Sequence, residues 1–216
     1  MKPLAVVIAL LGAESTGKTT LAQALCEALR AQGRDAALVG ENLREFCDAQ
    51  GRTPRQDEQR SIADEQTRRI AVAAQAHDVV VADTTALMIA VYSDHVFGDT
   101  SLYDSAVAAH ARCSLTLLCA LDLPWLPDGI QRDGPHVREP VDARVRAALA
   151  RARLGYSVVS GSGPARLGAA MACAARLLDP PQPRDEERRW QWACLRCGEP
   201  ACERHLLPTG LLNDPT

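Results

Sequence analysis

Residues 12–19 read Gly12-Ala13-Glu14-Ser15-Thr16-Gly17-Lys18-Thr19 and match the pattern G-x-x-x-x-G-K-[ST]. An unbroken apolar stretch precedes them at 4–11, as expected of a central parallel strand that is buried on both faces. From Thr20 to Ala31 the apolar residues fall on one stripe of a helix. Strand, glycine-rich loop and helix therefore follow one another in the order that a phosphate-binding loop requires. We call residues 12–19 the phosphate loop.

The residue types of the phosphate loop suit a nucleoside triphosphate with Mg²⁺. Gly12 and Gly17 permit close backbone approaches that a Cβ would block, so that N–H groups can face phosphate oxygens. Lys18 supplies a mobile charge to the β- and γ-phosphates, and the Thr19 hydroxyl can ligate Mg²⁺. Glycine-rich turns also join strands to helices without a ligand, but a Lys-Thr pair in register argues against that alternative. The predicted ATP-binding residues are Gly12, Glu14, Ser15, Thr16, Gly17, Lys18, Thr19 and Thr20.

Length and charge narrow the class of protein. A chain of 216 residues suits one sizeable domain, and a formal net charge of −3 gives no electrostatic argument for nucleic acid or membrane partners. The N-terminal apolar run imitates a secretory signal, but cleavage near Ala13 would remove the strand that supports the phosphate loop. No other run approaches the about 18 apolar residues of a membrane span. We expect a cytoplasmic protein and leave its oligomeric state open.

Apolar β-type runs alternate with helical patterns along the chain, which predicts an α/β fold with a parallel sheet. The pattern gives five strands flanked by helices, followed by a short Cys-rich C-terminal tail. The strands are predicted at 4–11, 35–40, 78–83, 114–120 and 156–160. The helices are predicted at 20–31, 41–50, 53–77, 102–111, 141–154 and 164–178.

Two carboxylates follow strands at the sheet edge where such folds bind ligands. Asp83 ends the third strand and is the candidate Mg²⁺ group opposite the loop threonine Thr19. The alternative is that Asp83 caps the next helix. Glu41 follows the second strand. It either accepts a proton from an attacking hydroxyl or lies in the first turn of a helix, where a negative charge suits the helix dipole. Spacing alone favours neither interpretation of Glu41.

The end of the chain changes character after residue 178. A Pro-rich, charged linker is predicted at 179–189, and a Cys/His-rich tail at 190–216. The tail contains Cys194-x-x-Cys197-x-x-x-x-Cys202-x-x-His205, a donor set that suits tetrahedral Zn²⁺ in a zinc knuckle. Reduced thiols without metal and a redox pair are the alternatives. The mixed charges of the tail do not indicate nucleic-acid binding.

Four segments together carry a family resemblance that covers about residues 4–178. They are Gly12 to Leu21, Glu41-Asn-Leu-Arg-Glu45, Asp83-Thr84-Thr85, and Leu121-Asp-Leu-Pro-Trp-Leu-Pro-Asp-Gly129. The chain resembles the ribosylnicotinamide kinase domain of the bacterial bifunctional NAD-biosynthesis regulators and its stand-alone relatives. This resemblance implies the P-loop NTPase fold of nucleoside and nucleotide kinases, with a kinase domain at 1–178. It also leads us to expect no adenylyltransferase or DNA-binding module, and hence one reaction step.

The resemblance implies transfer of the ATP γ-phosphoryl group to the 5′-hydroxyl of nicotinamide riboside. Lys18 would hold phosphates, Thr19 and Asp83 would hold Mg²⁺, and Glu41 would orient or deprotonate the acceptor hydroxyl. The implied substrate contacts are Arg44 for phosphate or substrate, Tyr92 and Trp125 for stacking on the pyridine ring, and Asp128 for ribose hydroxyls. Trp125 is equally well explained as a core or turn aromatic.

A segment rich in Gly, Pro and charge at about 128–140 is predicted to be a lid that excludes water. Arg132 and Arg138 would then meet the transferring phosphoryl group, and Gln131 leaves open which of them acts. The alternative is a solvated loop. At the level of function, a nucleotide-dependent switch or regulatory ATPase and a kinase of another nucleoside also remain open.

Overall fold

Five parallel strands form the centre of the protein in the computed structural model, which describes residues 4–126 and 134–179. The strands are β1 (Val6–Leu11), β2 (Ala36–Val39), β3 (Val79–Asp83), β4 (Leu115–Cys119) and β5 (Ser157–Val159). Their order across the sheet is β2-β3-β1-β4-β5, and every neighbouring pair is parallel. The predicted α/β fold with a five-stranded parallel sheet is confirmed.

Helices connect the strands. They are α1 (Lys18–Ala31), α2 (Asn42–Gln50), α3 (Gln59–Ala76), α4 (Ala86–Phe97), α5 (Tyr103–His110), α6 (Arg138–Arg151) and α7 (Gly163–Leu178). Short 3₁₀ turns at Gln56–Glu58 and Pro135–Val137 lead into α3 and α6. Because the strands are parallel, α1, α2 and α4 all begin at the carboxyl edge of the sheet, which is where Lys18, Glu41 and Asp83 lie.

Both faces of the sheet are covered by helices. On one face, Ile8 of β1 packs with Leu25 of α1 and Ala170 of α7. On the other face, Leu11 of β1 packs in a cluster with Val145 of α6, and α3 covers the region near β2 and β3. Burial on both sides explains why β1 and β3 are continuous apolar runs rather than alternating ones.

Helix α4 is the element that the sequence patterns missed. Its residues 86–91 are all buried, and α4 packs against α3, α5 and α6. A helix that is apolar on every side lacks the stripe by which periodicity identifies a surface helix. The patterns therefore predict no element directly after Asp83, although α4 forms one wall of the site described below.

The starts of three predicted helices differ from the structure by two residues or more. The helix predicted from 53 begins at Gln59, because Arg52 donates to both carboxylate oxygens of Glu58, at 2.7 and 2.6 Å, and residues 53–55 form a loop. The helix predicted from 141 begins at Arg138, which shortens the predicted lid at its C-terminal end. The helix predicted from 20 begins at Lys18, directly after Gly17.

Several predictions concern residues outside the described ranges. They are residues 128–133 of the lid, the linker beyond Asp179 and the tail at 190–216. The candidate site residues outside these ranges are Asp128, Arg132, Cys194, Cys197, Cys202 and His205. Within 4–126 and 134–179, no helix is both long enough and apolar enough to cross a membrane.

Candidate active site

The phosphate loop joins the buried strand β1 to helix α1 and has the tight geometry that its glycines predict. Gly12 has φ of +148°, and a Cβ there would lie 3.0 Å from Thr16 Oγ1 and 3.1 Å from the Cys119 carbonyl oxygen. Lys18 Nζ and Thr16 Oγ1 each donate to the Ala13 carbonyl, both at 2.8 Å. The backbone thus wraps closely ahead of the N-terminus of α1, where the helix dipole favours an anion.

Hydrogen bonds to Arg166 of α7 and to the backbone of Leu126 hold the phosphate loop in place. Arg166 of α7 is buried, and its Nη2 donates to the Thr16 carbonyl at 2.8 Å. Its Nη1 donates to Asp122 Oδ1 at 2.9 Å and to the Gly161 carbonyl at 2.8 Å. The Ser15 hydroxyl also bonds the backbone of Leu126, at 2.7 Å to the carbonyl oxygen and 3.1 Å to the amide nitrogen. Loops after β4 and β5 therefore support the phosphate loop.

Asp83 and Glu41 lie beside Lys18 at the carboxyl edge of the sheet. Asp83 is 2% exposed, and its Oδ1 has no hydrogen-bond partner among the described residues. The Glu41 side chain is 11% exposed, with Arg44 Nε 3.6 Å from Glu41 Oε2. Burial raises the pKa of the Glu41 carboxyl, and Asp83 raises it further, while the charges of Lys18 and Arg44 lower it. The charges of Lys18 and Asp83 thus both act on the Glu41 carboxyl.

Helix capping does not account for either carboxylate. The N-cap of α4 is Thr85, whose Oγ1 accepts from the Leu87 amide at 3.3 Å. Glu41 occupies the N-cap position of α2, but its side chain makes no capping hydrogen bond. Asp83 is therefore not the cap of α4, whereas Glu41 stands at the start of α2, where its charge suits the helix dipole, without making a capping hydrogen bond.

A cavity of about 540 Å³ opens beside the phosphate loop, and we call it the site cavity. Residues 14–20, Glu41 and Arg44 line its polar end. Its apolar wall consists of Leu43, Cys47, Pro54, Tyr92, Val96 and Phe97, from α2, the loop before α3, and α4. Thr53, Arg55, Gln56 and Gln59 add polar groups. Charged and polar residues thus line the cavity near the sheet edge, and apolar side chains of α2, the loop before α3, and α4 line the rest of it.

The structure brings most predicted site residues together, but not all of them. Trp125 does not line the site cavity, and its buried Nε1 has no hydrogen-bond partner among the described residues. Its neighbour Leu126 binds Ser15, which keeps this turn on the β4 side of the phosphate loop. Arg138 is buried in the first turn of α6, where Nη2 donates to the Leu121 carbonyl at 3.2 Å. That contact anchors α6, and Arg138 does not line the cavity.

Sequence patterns missed the supports and the apolar wall of the site. Asp122 follows β4, and this position after a strand was an available signal for a role near the phosphate loop, whereas Arg166 belongs to α7 and gave no local signal. Val96 and Phe97 belong to α4, which gave no periodic signal. No cluster of three or more His, Cys, Asp or Glu suited to a metal ion occurs in residues 4–126 and 134–179.

Comparison with solved structures identifies the fold. Two crystal structures of NadR protein, one in complex with NAD and AMP-PNP and one in complex with NR, match with TM-scores of 0.64 and 0.66. Each is 20% identical and covers 80% of this chain. Thymidylate kinase from Ehrlichia chaffeensis is 14% identical, with a TM-score of 0.58, over 82% of this chain and 100% of its own. The shared architecture is the P-loop NTPase fold.

The extent of these matches also matters. The chain corresponds to 49% of the NadR chains, so it spans about half their length. No curated protein matches the chain in a sequence search. The model of a family described as "AAA domain" matches residues 7–166, well over half of the chain. This chain therefore belongs to the AAA domain family.

Proposed function

We propose that this protein is an ATP- and Mg²⁺-dependent kinase that phosphorylates the 5′-hydroxyl of nicotinamide riboside. The site cavity carries this proposal, because the phosphate loop, the charged Glu41 and Arg44, and a group of apolar residues all line one pocket. A nucleotide switch needs no such space for an acceptor. The fold match to NadR crystallised with NR supports the choice of acceptor.

The residues of the phosphate loop fit ATP with Mg²⁺. Lys18 and the start of α1 would hold the phosphates. Thr19 and Asp83 would hold Mg²⁺, and the buried Asp83 Oδ1, unpartnered among the described residues, suits a cation or its bound water. The metal supplies neutralising charge at the β- and γ-phosphates. Phosphoryl transfer requires little covalent chemistry from the protein, and positioning of the reactants by the protein would therefore account for most of the rate increase.

The site cavity fits a small nucleoside with a flat ring. Glu41 would orient the attacking hydroxyl and take up its proton, and because burial raises the pKa of this carboxyl, it is a stronger base than an exposed glutamate. Cys47 lies six residues along α2 from Glu41, or about 9 Å at a rise of 1.5 Å per residue. A ribose beside Glu41 would therefore direct its ring toward the apolar wall, where Tyr92 can stack on a cationic ring.

An assay of ATP consumption against a panel of nucleosides tests the proposal. Nicotinamide riboside is expected to stimulate ADP formation, and Lys18→Ala and Glu41→Gln are expected to abolish that stimulation. Glu27→Gln, on the exposed face of α1, is the matched control for Glu41→Gln. Stimulation by a different nucleoside would mean that the protein is a kinase with an acceptor other than nicotinamide riboside. ATP turnover that is indifferent to every acceptor would overturn the kinase and favour the regulatory ATPase.

The zinc knuckle remains a separate proposal that rests on the donor set Cys194, Cys197, Cys202 and His205. Metal analysis of the full chain is expected to find about one Zn²⁺ per chain, since three thiolates and one imidazole make a closed tetrahedral site. Cys194→Ser and Cys202→Ser are each expected to lose it. Equal metal content in the parent protein and both variants would overturn the assignment.

A further inference from the structure

Gln66, in the middle of α3, bonds the backbone of two separate turns at the site. The side chain is 0% exposed. Its Oε1 accepts from the Asn42 amide at 2.8 Å, and its Nε2 donates to the Gly40 carbonyl at 3.1 Å. Nε2 also lies 3.4 Å from the Thr84 carbonyl, its second acceptor. One buried amide thus reaches both sides of Glu41 and the residue that follows Asp83.

We propose that Gln66 is a positioning residue that holds the Glu41 turn and the Asp83 turn in the arrangement needed for phosphoryl transfer. The proposal rests on the proposed function, in which Glu41 faces the acceptor and Asp83 faces Mg²⁺. Glu41 follows β2 and Asp83 ends β3, so their relative position depends on two loops of different strands. Gln66 joins those loops directly.

The turn after Asp83 shows why such a link matters. Thr84 has φ of +75°, a left-handed conformation that residues other than glycine rarely adopt. Its amide donates to the Leu10 carbonyl at 3.1 Å, which ties one side of the peptide to β1. Its carbonyl turns toward Gln66 Nε2. Because strained backbone persists only where its surroundings enforce it, we infer that Gln66 helps to maintain this conformation.

The three hydrogen bonds of the Gln66 side chain require an amide group. Gln66 uses its oxygen as an acceptor and both directions of its NH₂ group as donors, which no other side chain of this length can do. A carboxylate keeps the acceptor for Asn42 but loses both donors, and an aliphatic side chain loses all three bonds. Asn42 adds a second tie, since its Nδ2 donates to the Ile62 carbonyl, one turn earlier on α3, at 3.1 Å.

The test compares Gln66→Leu and Gln66→Glu with Thr67→Ala. Thr67 is the matched control, because its Oγ1 donates to the Ala63 carbonyl within α3, at 3.0 Å, and this bond does not involve the Glu41 turn or the Asp83 turn. Both Gln66 variants are expected to lose about 10- to 100-fold in kcat for acceptor phosphorylation, the scale of a misplaced reacting group. The affinity for AMP-PNP without Mg²⁺, measured by calorimetry, is expected to stay at the parent value because the phosphate loop is untouched. Gln66→Glu is the variant to use if Gln66→Leu does not fold.

A double-mutant cycle separates positioning from a general loss of structure. Because Gln66 acts in part through Glu41, Gln66→Glu is expected to lower kcat by a smaller factor in the Glu41→Asp variant, which keeps a carboxylate, than in the parent protein. Losses that multiply, or a kcat equal to that of Thr67→Ala, would overturn the inference. A parent protein that phosphorylates no nucleoside would instead overturn the proposed function, so the two failures are distinguishable.

Discussion

At the scale of single residues, Gly12 is the position where the phosphate loop tolerates least change. A Cβ there would meet Thr16 Oγ1 at 3.0 Å and the Cys119 carbonyl at 3.1 Å, and the second contact is with backbone that cannot turn away. Gly12→Ala is expected to cost about 1–3 kcal/mol of unfolding free energy and to abolish ATP binding. Urea unfolding and calorimetry with AMP-PNP measure the two effects.

The matched control for that change is Gly33→Ala. Gly33 also has positive φ, +80°, but a Cβ there would have nothing within 4 Å. The substitution is expected to add backbone strain alone, about 1–2 kcal/mol, and to leave nucleotide binding intact. Equal losses of nucleotide affinity in both variants would show that crowding at Gly12 is not the cause.

His110 is expected to make the free energy of unfolding depend on pH. Its ring nitrogens lie 3.0 Å from Thr85 Oγ1 and 3.0 Å from Thr116 Oγ1, and burial lowers its pKa from 6.5 to about 4. Below pH 6.5 the unfolded chain therefore binds more protons than the folded one. The free energy of unfolding is expected to fall by about 3 kcal/mol from above pH 6.5 down to pH 4.

Urea unfolding between pH 7 and pH 4, about the range set by that shift, checks the prediction. His110→Gln removes the titrating group while keeping polar atoms near both threonines, so its curve is expected to be flatter than that of the parent protein. Parallel curves for the two proteins would mean that His110 is not the source of the acid sensitivity.

At the scale of elements, α4 supplies the wall on which the proposed acceptor specificity depends. Phe97, at the end of α4, is 38% exposed and lines the site cavity. Phe97→Ala is expected to raise KM for the acceptor about 5- to 30-fold, which corresponds to about 1–2 kcal/mol of lost apolar contact. KM for ATP is expected to stay constant, because in the proposed arrangement Phe97 contacts the acceptor and not ATP.

Leu177→Ala is the control for this prediction. Leu177 of α7 is 39% exposed and is not among the residues that line the site cavity, so the variant loses similar apolar surface elsewhere. Steady-state kinetics with each substrate varied in turn measure both constants. A KM for the acceptor that is unchanged in Phe97→Ala would place the acceptor away from α4.

The elements also show what a sequence can and cannot predict. Strands β1 and β3 were predictable because burial on both faces makes them uniformly apolar, and parallel strands brought Glu41 and Asp83 to one edge. Helix α4 was not, since its residues 86–91 are all buried and show no apolar stripe. Arg166 and Thr16 are separated by 150 positions, and a contact of that kind leaves no local pattern.

At the scale of the whole molecule, the account depends on one arrangement, a phosphate donor site that faces an acceptor cavity. The phosphate loop, Glu41 and Asp83 belong to the carboxyl edge of the sheet, while α2, the loop before α3, and α4 enclose the space above it. The fold alone does not decide the reaction, because P-loop folds serve both kinases and switches. The fate of the γ-phosphoryl group does decide it.

The most direct measurement follows that group by mass spectrometry. Purified protein is incubated with Mg²⁺, ATP and nicotinamide riboside, and ADP and nicotinamide mononucleotide are quantified together. We predict one mononucleotide formed for each ADP, with no transfer in Lys18→Ala or Glu41→Gln. ADP that accumulates with inorganic phosphate and no phosphorylated acceptor would contradict the account.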